Sequence, residues 1–366
     1  MKTSTQFLLV RRGAAALLLA AGVAPFASAT LLTQENLVSN IPGLAAHVDA
    51  NLKNPWGIAE GASTPFWVSD NGTSLSTLYN TAGVPQGLVV SIPSPLGGDA
   101  SPTGIVFNAD PQAFDGARFI FATEVGTIAA WSGGTSAVTM ALDSVAQYTG
   151  LANDGDTLFA TNFRQNTIAA FDSSFAPVAS PGGFTDPNLP AGYAPFGIRD
   201  IGGDLYVTYA VRDSTTGDEV ASAGLGIVDV FDTNGNLLRR LAGPGGALNA
   251  PWGLALVPAG FGAFEGDLLV GNFGDGTINA FDPATGTFLG TLRDAHGNPF
   301  VNDGLWGLQF GNGGAGGLPN VLYLTAGIND ERDGLFAAIH LPEPGTLALV
   351  GVAVVGIAFV VWRRHR

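Results

Sequence analysis

Five side chains able to offer oxygen to a ligand recur at one position along the chain: Asp70, Glu124, Asn162, Tyr209 and Asn272. Each follows a short apolar run, and a sixth run of the same kind leads to Ala326. Carboxylate and amide oxygens are what a hard divalent cation takes as ligands, in preference to nitrogen or sulfur. Gathered round a common axis, Asp70, Glu124, Asn162 and Asn272 could hold Ca²⁺ or another hard cation as cofactor. The plainer reading is that they bond one another and water, since buried polar groups need partners whatever their role. A second series stands directly before a set of glycines: Trp56, Thr103, Thr149, Phe196, Trp252 and Trp306. The faces of Trp56, Trp252 and Trp306 can stack on sugar rings, or the same rings can fill the wedge between twisted sheets.

Other chemistry is thin. Two stretches rich in charge, 210–224 with Arg212, Asp213, Asp218 and Glu219, and 326–334 with Asp330, Glu331, Arg332 and Asp333, interrupt an otherwise regular spacing. Insertions on one face of a repeat protein are common places for binding, although solvated acidic loops look the same in sequence. The four histidines, His47, His296, His340 and His365, show no metal-ligand spacing, and neither H-E-x-x-H nor G-x-S-x-G occurs. With no cysteine in the chain, disulfides, zinc–thiolate sites and a thiol nucleophile are excluded. No catalytic residue is assigned.

What must position these residues is a repeat. Pro55-Trp56-Gly57, Pro102-Thr103-Gly104, Tyr148-Thr149-Gly150, Pro195-Phe196-Gly197, Pro251-Trp252-Gly253 and Leu305-Trp306-Gly307 each open an apolar run, with glycine spacings of 47, 46, 47, 56 and 54. The unit from Pro251 to Gly286 and just beyond reads as four strands, Gly253–Val257, Asp267–Gly271, Thr277–Phe281 and Phe288–Leu292, with a turn after each of the first three. One such sheet cannot bury both faces, so copies must stack; four strands per unit at this period predict a six-bladed all-β propeller of antiparallel blades over 30–341. The composition agrees, with 52 glycines and 22 prolines among 366 residues and only 12% charged. Glu35–Ile41 is expected to complete the sixth blade as its outer strand.

The two ends read differently. Lys2, Arg11 and Arg12 precede an apolar Ala14–Ala24 and an Ala27-Ser28-Ala29 cleavage pattern, the order of a secretory signal peptide over 1–29, removed by signal peptidase. At the other end Pro342-Glu343-Pro344 is followed by an apolar run, Thr346–Trp362, and by Arg363, Arg364 and Arg366. The run is long enough for a single short span, and the trailing arginines put the tail in the cytoplasm. Six of the 15 basic residues and one of the 30 acidic ones lie in these ends, leaving nine against 29 between them, a net of −20. Such a surface does not hold nucleic acid or anionic lipid through charge.

Pro-Glu-Pro, a short span and a basic tail together resemble a PEP-CTERM sorting signal over 342–366. That resemblance implies an exosortase as processing partner, a transient anchor in the inner membrane of a Gram-negative cell, and a final place in the periplasm, at the cell surface or in the polysaccharide matrix of a biofilm. The repeats resemble NHL-type propellers, and the whole chain looks like a family of exported PEP-CTERM propellers. The implied role is an extracellular binding or structural module with extracellular polysaccharide as partner. The alternative is a metal-dependent hydrolase, since the regucalcin and gluconolactonase family opens lactones at a divalent metal in its channel. That family's glutamate at the opening of the first blade is replaced here by Asn54-Pro55-Trp56.

Overall fold

The computed structural model describes residues 32–342. They form six antiparallel sheets whose first strands are Pro55–Ala59, Pro102–Phe107, Tyr148–Asn153, Tyr193–Ile201, Pro251–Leu256 and Leu305–Phe310, which define blades 1 to 6. Each first strand packs against the first strand of the next blade, and blade 6 packs on blade 1, so the ring closes. The signal peptide with Ala27 and Ala29, the span Thr346–Trp362, and Glu343 and Pro344 of the sorting motif lie outside the described residues, and Pro342 is the last of them.

Burial falls from the axis outward. Second strands such as Phe66–Asp70, Phe119–Thr123 and Leu268–Asn272 are buried at every residue. A strand covered on both faces has no use for alternation, which is why these read as continuous apolar runs. The outer strands Val138–Leu142 and Phe288–Thr291 are largely exposed. Six of the apolar clusters fill the six seams between neighbouring blades, as where Ile120 and Ala122 of blade 2 meet Leu151 and Phe171 of blade 3. A seventh cluster lies on the axis.

The repeated glycines have one shared cause. A Cβ on Gly57 would stand 2.5 Å from Thr103 O, one on Gly197 2.3 Å from Trp252 O, and one on Gly253 2.4 Å from Trp306 O. Gly307 faces Trp56 O at 2.8 Å and closes the circuit. Each glycine is therefore the place where one blade's innermost strand lies directly on the next, and a side chain there would push the blades apart. Every first strand also loses regular pairing at this point, with register shifts such as Pro55/Ile58 and Leu305/Leu308. Such irregularity re-aims the residues on either side of it.

Blade 6 is built from both ends of the described chain. Its third strand, Leu335–His340, pairs antiparallel with Thr33–Ser39, from Thr33↔His340 to Ser39↔Leu335. The closing strand thus begins and ends two residues earlier than the Glu35–Ile41 read from the sequence. A short parallel strand, His47–Val48, adds to its outer edge.

Candidate axial site

Counting from strand pairing changes which residues face the channel. The residues paired with the position two before each repeat glycine are Asp70, Thr123, Asn162, Tyr209, Asn272 and Ala326, so Thr123 and not Glu124 shares their position. Side chains alternate along a strand, and a slip of one residue turns a position to the other side. Asp70 lies with Thr77, Asp49 and Tyr79 in the seam between blades 6 and 1, fully buried. Both of its carboxylate oxygens lack a hydrogen-bond partner, and burial holds its pKa well above the ordinary range. Tyr209 belongs to the cluster between blades 3 and 4, beside a separate cavity of about 340 Å³, and burial together with Asp229 raises its phenol. Asn162 is occupied by Gln147 N at 3.2 Å and by Gln165 Oε1 at 2.5 Å. Asn272 accepts from Asn249 N at 3.1 Å and donates to Ala247 O at 2.9 Å. Asp70 in its seam and Glu124 toward the axis thus stand in different surroundings, and among the described residues no three His, Cys, Asp or Glu are gathered to hold a metal ion.

Glu124 does face the axis, and its neighbours explain how it is held. Asn71 Nδ2 donates to its Oε2 at 2.9 Å and Gln147 Nε2 to its Oε1 at 3.1 Å. Asn54 continues the chain of contacts, donating to Asn71 Oδ1 at 3.4 Å and to Glu331 Oε2 at 2.7 Å. Its own Oδ1 accepts from Trp306 Nε1 at 3.0 Å. The two long loops meet over this belt. Burial raises Glu219 to about 7, with Glu331, Asp218 and Glu124 adding like charge, and raises Glu331 for similar reasons.

Below the belt the axis is filled by aromatic rings. Trp56 and Trp306 stack with centroids 3.6 Å apart and planes at 18°, so each occupies a face of the other. Phe273 stacks on Trp306 at 4.3 Å, and Phe163 lies 5.0 Å from Phe196. Trp56 of blade 1 also meets Phe196 of blade 4 at 6.2 Å. Blades 1 and 4 stand opposite each other in a six-blade ring, so this contact blocks the channel. The rings of Trp56, Phe196 and Trp306 thus form a plug on the axis, neither lying in the seams nor standing open at a mouth. Thr103 and Thr149, at the same repeat position in blades 2 and 3, donate instead to Tyr148 O and Phe196 O, both at 2.8 Å. Only Trp252 of this series remains partly exposed, its Nε1 held by Thr149 O at 2.9 Å.

Beyond the plug, where the first strands end, the channel opens into a cavity of about 270 Å³ lined from all six blades. Arg199 of blade 4 reaches across it. Its guanidinium donates to Leu254 O at 3.0 Å, to Leu308 O at 2.8 Å and to Gln309 Oε1 at 2.5 Å. Gln309 Nε2 in turn donates to Glu60 Oε1 at 2.6 Å, while Glu60 Oε2 is buried without a partner. Burial pushes Glu60 from its usual 4.5 up to about 8, against the opposing pull of Gln309 and Arg199. A carboxyl, an amide and a guanidinium from three blades are thereby fixed in series inside the ring. Sequence reading missed all three. Two residues after the repeat glycine stand Ala59, Val106, Ala152, Arg199, Ala255 and Gln309. Two long polar side chains among small apolar ones were the available signal.

Six blades of four strands, the sixth with a short fifth strand at its edge, stand round an axis with one end plugged and the other hollow, and define a β-propeller carrying an internal pocket. Residues 341–364 match the PEP-CTERM protein-sorting motif. The chain belongs to the family of uncharacterized protein R648 of Acanthamoeba polyphaga mimivirus, with 32% identity over 327 residues, 83% of this chain and 78% of that one. Among solved structures, virginiamycin B lyase from Staphylococcus aureus is 13% identical with a TM-score of 0.50, covering 85% of this chain and 99% of its own. XC5397 from Xanthomonas campestris, a gluconolactonase, is 15% identical with a TM-score of 0.50, covering 80% and 87%. At these identities the likeness is one of fold.

Proposed function

We propose that the protein is exported, sorted by its C-terminal motif through an exosortase, and serves outside the cell as a glycan-binding module of the polysaccharide matrix. The observation that carries the reading is position. The matched motif begins at Leu341, directly after the propeller's last strand ends at His340, so all six blades lie on the exported side of it. Arg363, Arg364 and Arg366 follow the apolar run and hold the tail in the cytoplasm. For binding, the support is a cavity bordered by one partly exposed tryptophan and by fixed polar groups. The hydrolase reading fits less well. A channel metal would draw on the axis-facing positions Asn71, Glu124, Phe163, Ala210, Phe273 and Gly327, and most of these carry no side-chain oxygen.

The test is a chain tagged at its C-terminus, expressed in a Gram-negative host with an exosortase, beside a variant with Pro342, Glu343 and Pro344 changed to alanine. The unaltered chain should lose its tag and leave the membrane fraction, while the variant keeps both tag and membrane association. A cytosolic unaltered chain, or one that is processed identically without the Pro-Glu-Pro residues, would overturn the reading.

A further inference from the structure

The axial cavity is open at one end only, because the ring contacts of Trp56, Trp306 and Phe196 fill the channel above it. A polysaccharide passing through a site needs an entrance and an exit. A pocket with one mouth admits only the end of a chain. Its volume of about 270 Å³ exceeds the roughly 150 Å³ of a cavity that takes one benzene ring, space for one sugar ring and little more.

The walls suit such a guest. Trp252 borders the cavity, with Trp56 and Trp306 set nearly perpendicular to it at 82° and 85°. Together with its hydrogen bond to Thr149 O, this fixes the ring's orientation. An aromatic face complements the C–H face of a pyranose, an apolar surface edged by hydroxyls. Arg199 uses three of its five N–H groups on Leu254, Leu308 and Gln309, which leaves two for a ligand. Glu60 keeps Oε2 free of protein partners. Asn153 and Asp200 stand at the rim. Donors and acceptors therefore line the same cavity as one aromatic ring, and Arg199, Gln309 and Glu60 are held by their mutual hydrogen bonds before any ligand arrives, so little ordering cost remains on binding.

We propose that this cavity holds the terminal sugar residue of a polysaccharide, one pyranose laid on Trp252 with its hydroxyls shared among Arg199, Gln309 and Glu60. The inference rests on the glycan-binding reading above and adds that recognition is of a chain end. At neutral pH Glu60 carries its proton and donates from Oε2, so the hydroxyls it meets serve as acceptors.

The experiment uses the full chain in detergent on an array of linear glycans printed through either end. Bound glycans should share a free terminal sugar and differ freely inside. That monosaccharide alone should compete within about threefold of the oligosaccharide, since one ring fills the site. Trp252→Leu and Glu60→Met should each weaken binding about tenfold, whereas Glu60→Gln, which keeps a donor where the protonated carboxyl has one, should bind like the unaltered chain at neutral pH; Glu60→Met, of similar size, keeps the test valid if Trp252→Leu does not fold. Binding that tracks an internal repeat, or that ignores both Trp252→Leu and Glu60→Met, overturns chain-end recognition and leaves glycan binding standing. Failure to bind any glycan overturns both.

Discussion

Replacing Gly197 by alanine adds one methyl group at the contact between the innermost strands of blades 4 and 5. Its Cβ would sit 2.3 Å from Trp252 O, 2.9 Å from Thr208 Oγ1 and 3.0 Å from Trp252 C, where ordinary contact is 3.4–4 Å. Relief requires about 1 Å of separation, and the nearest atom is backbone. In an open sheet stack the neighbour could retreat. Here blade 5 is backed by blade 6, which is backed by blade 1, so the displacement has to be shared around a closed ring. Overpacking of this kind costs about 1–3 kcal/mol, and the smaller conformational entropy of the unfolded alanine chain offsets about 0.4–1 kcal/mol of it. A net loss of about 1–2 kcal/mol should lower Tm by roughly 1.5–3 °C in a chain of this size. Gly133→Ala supplies the control, because nothing lies within 4 Å of its added Cβ and its φ is not positive. Calorimetry or thermal denaturation of the two variants decides the matter. If Gly197→Ala melts with Gly133→Ala, the glycines are not there to let blades touch.

Two further outcomes follow from the same structure. Glu60 is raised from 4.5 to about 8 in the folded state, so the native protein binds the extra proton across that window and stability must fall as pH rises through it. Glu60→Gln should therefore lose less stability than the unaltered chain between about pH 5 and pH 8.5 in thermal melts, and parallel curves would show that Glu60 ionises freely. Deleting Thr33–Ser39 strips the outer strand from blade 6 and exposes the edge of Leu335–His340 together with Phe336 and Ile339. The shortened chain should aggregate or lose its cooperative unfolding transition, and a sharp transition retained at the original temperature would contradict closure by that strand.

The architecture was legible because it is written six times. Glycine before an apolar run, at a nearly constant interval, reports a contact that each blade must make with the next, and repetition separates it from chance. The outer edge of blade 6 was legible for a different reason: a stray apolar segment before the first repeat has no other sheet to join. The site was less legible, and the register shows why. Glu124 sits in line with Asp70 when residues are counted from the apolar run, yet strand pairing puts Thr123 opposite Pro102 where Asp70 lies opposite Pro55. A single residue decides between seam and axis, and no periodicity resolves one residue next to a bulge. The tryptophans misled in another way. Composition says that they can stack on a ligand, but only geometry shows Trp56 and Trp306 stacking on each other while Trp252 borders open space. Arg199, Glu60 and Gln309 come from blades 4, 1 and 6, and their meeting depends on the ring being closed.

The strand that precedes the sorting motif also sets how the propeller responds to a pull. Leu335–His340 is not an edge: it is bonded along one side to Leu322–Ala326 and along the other to Thr33–Ser39. Tension on a tether leaving at Leu341 runs along this strand, so the hydrogen bonds on both flanks bear load together instead of parting one after another. An edge strand at the same place would unzip from its last residue. The propeller is thus fastened to its tail in shear, by the part of the ring that both ends of the folded chain build.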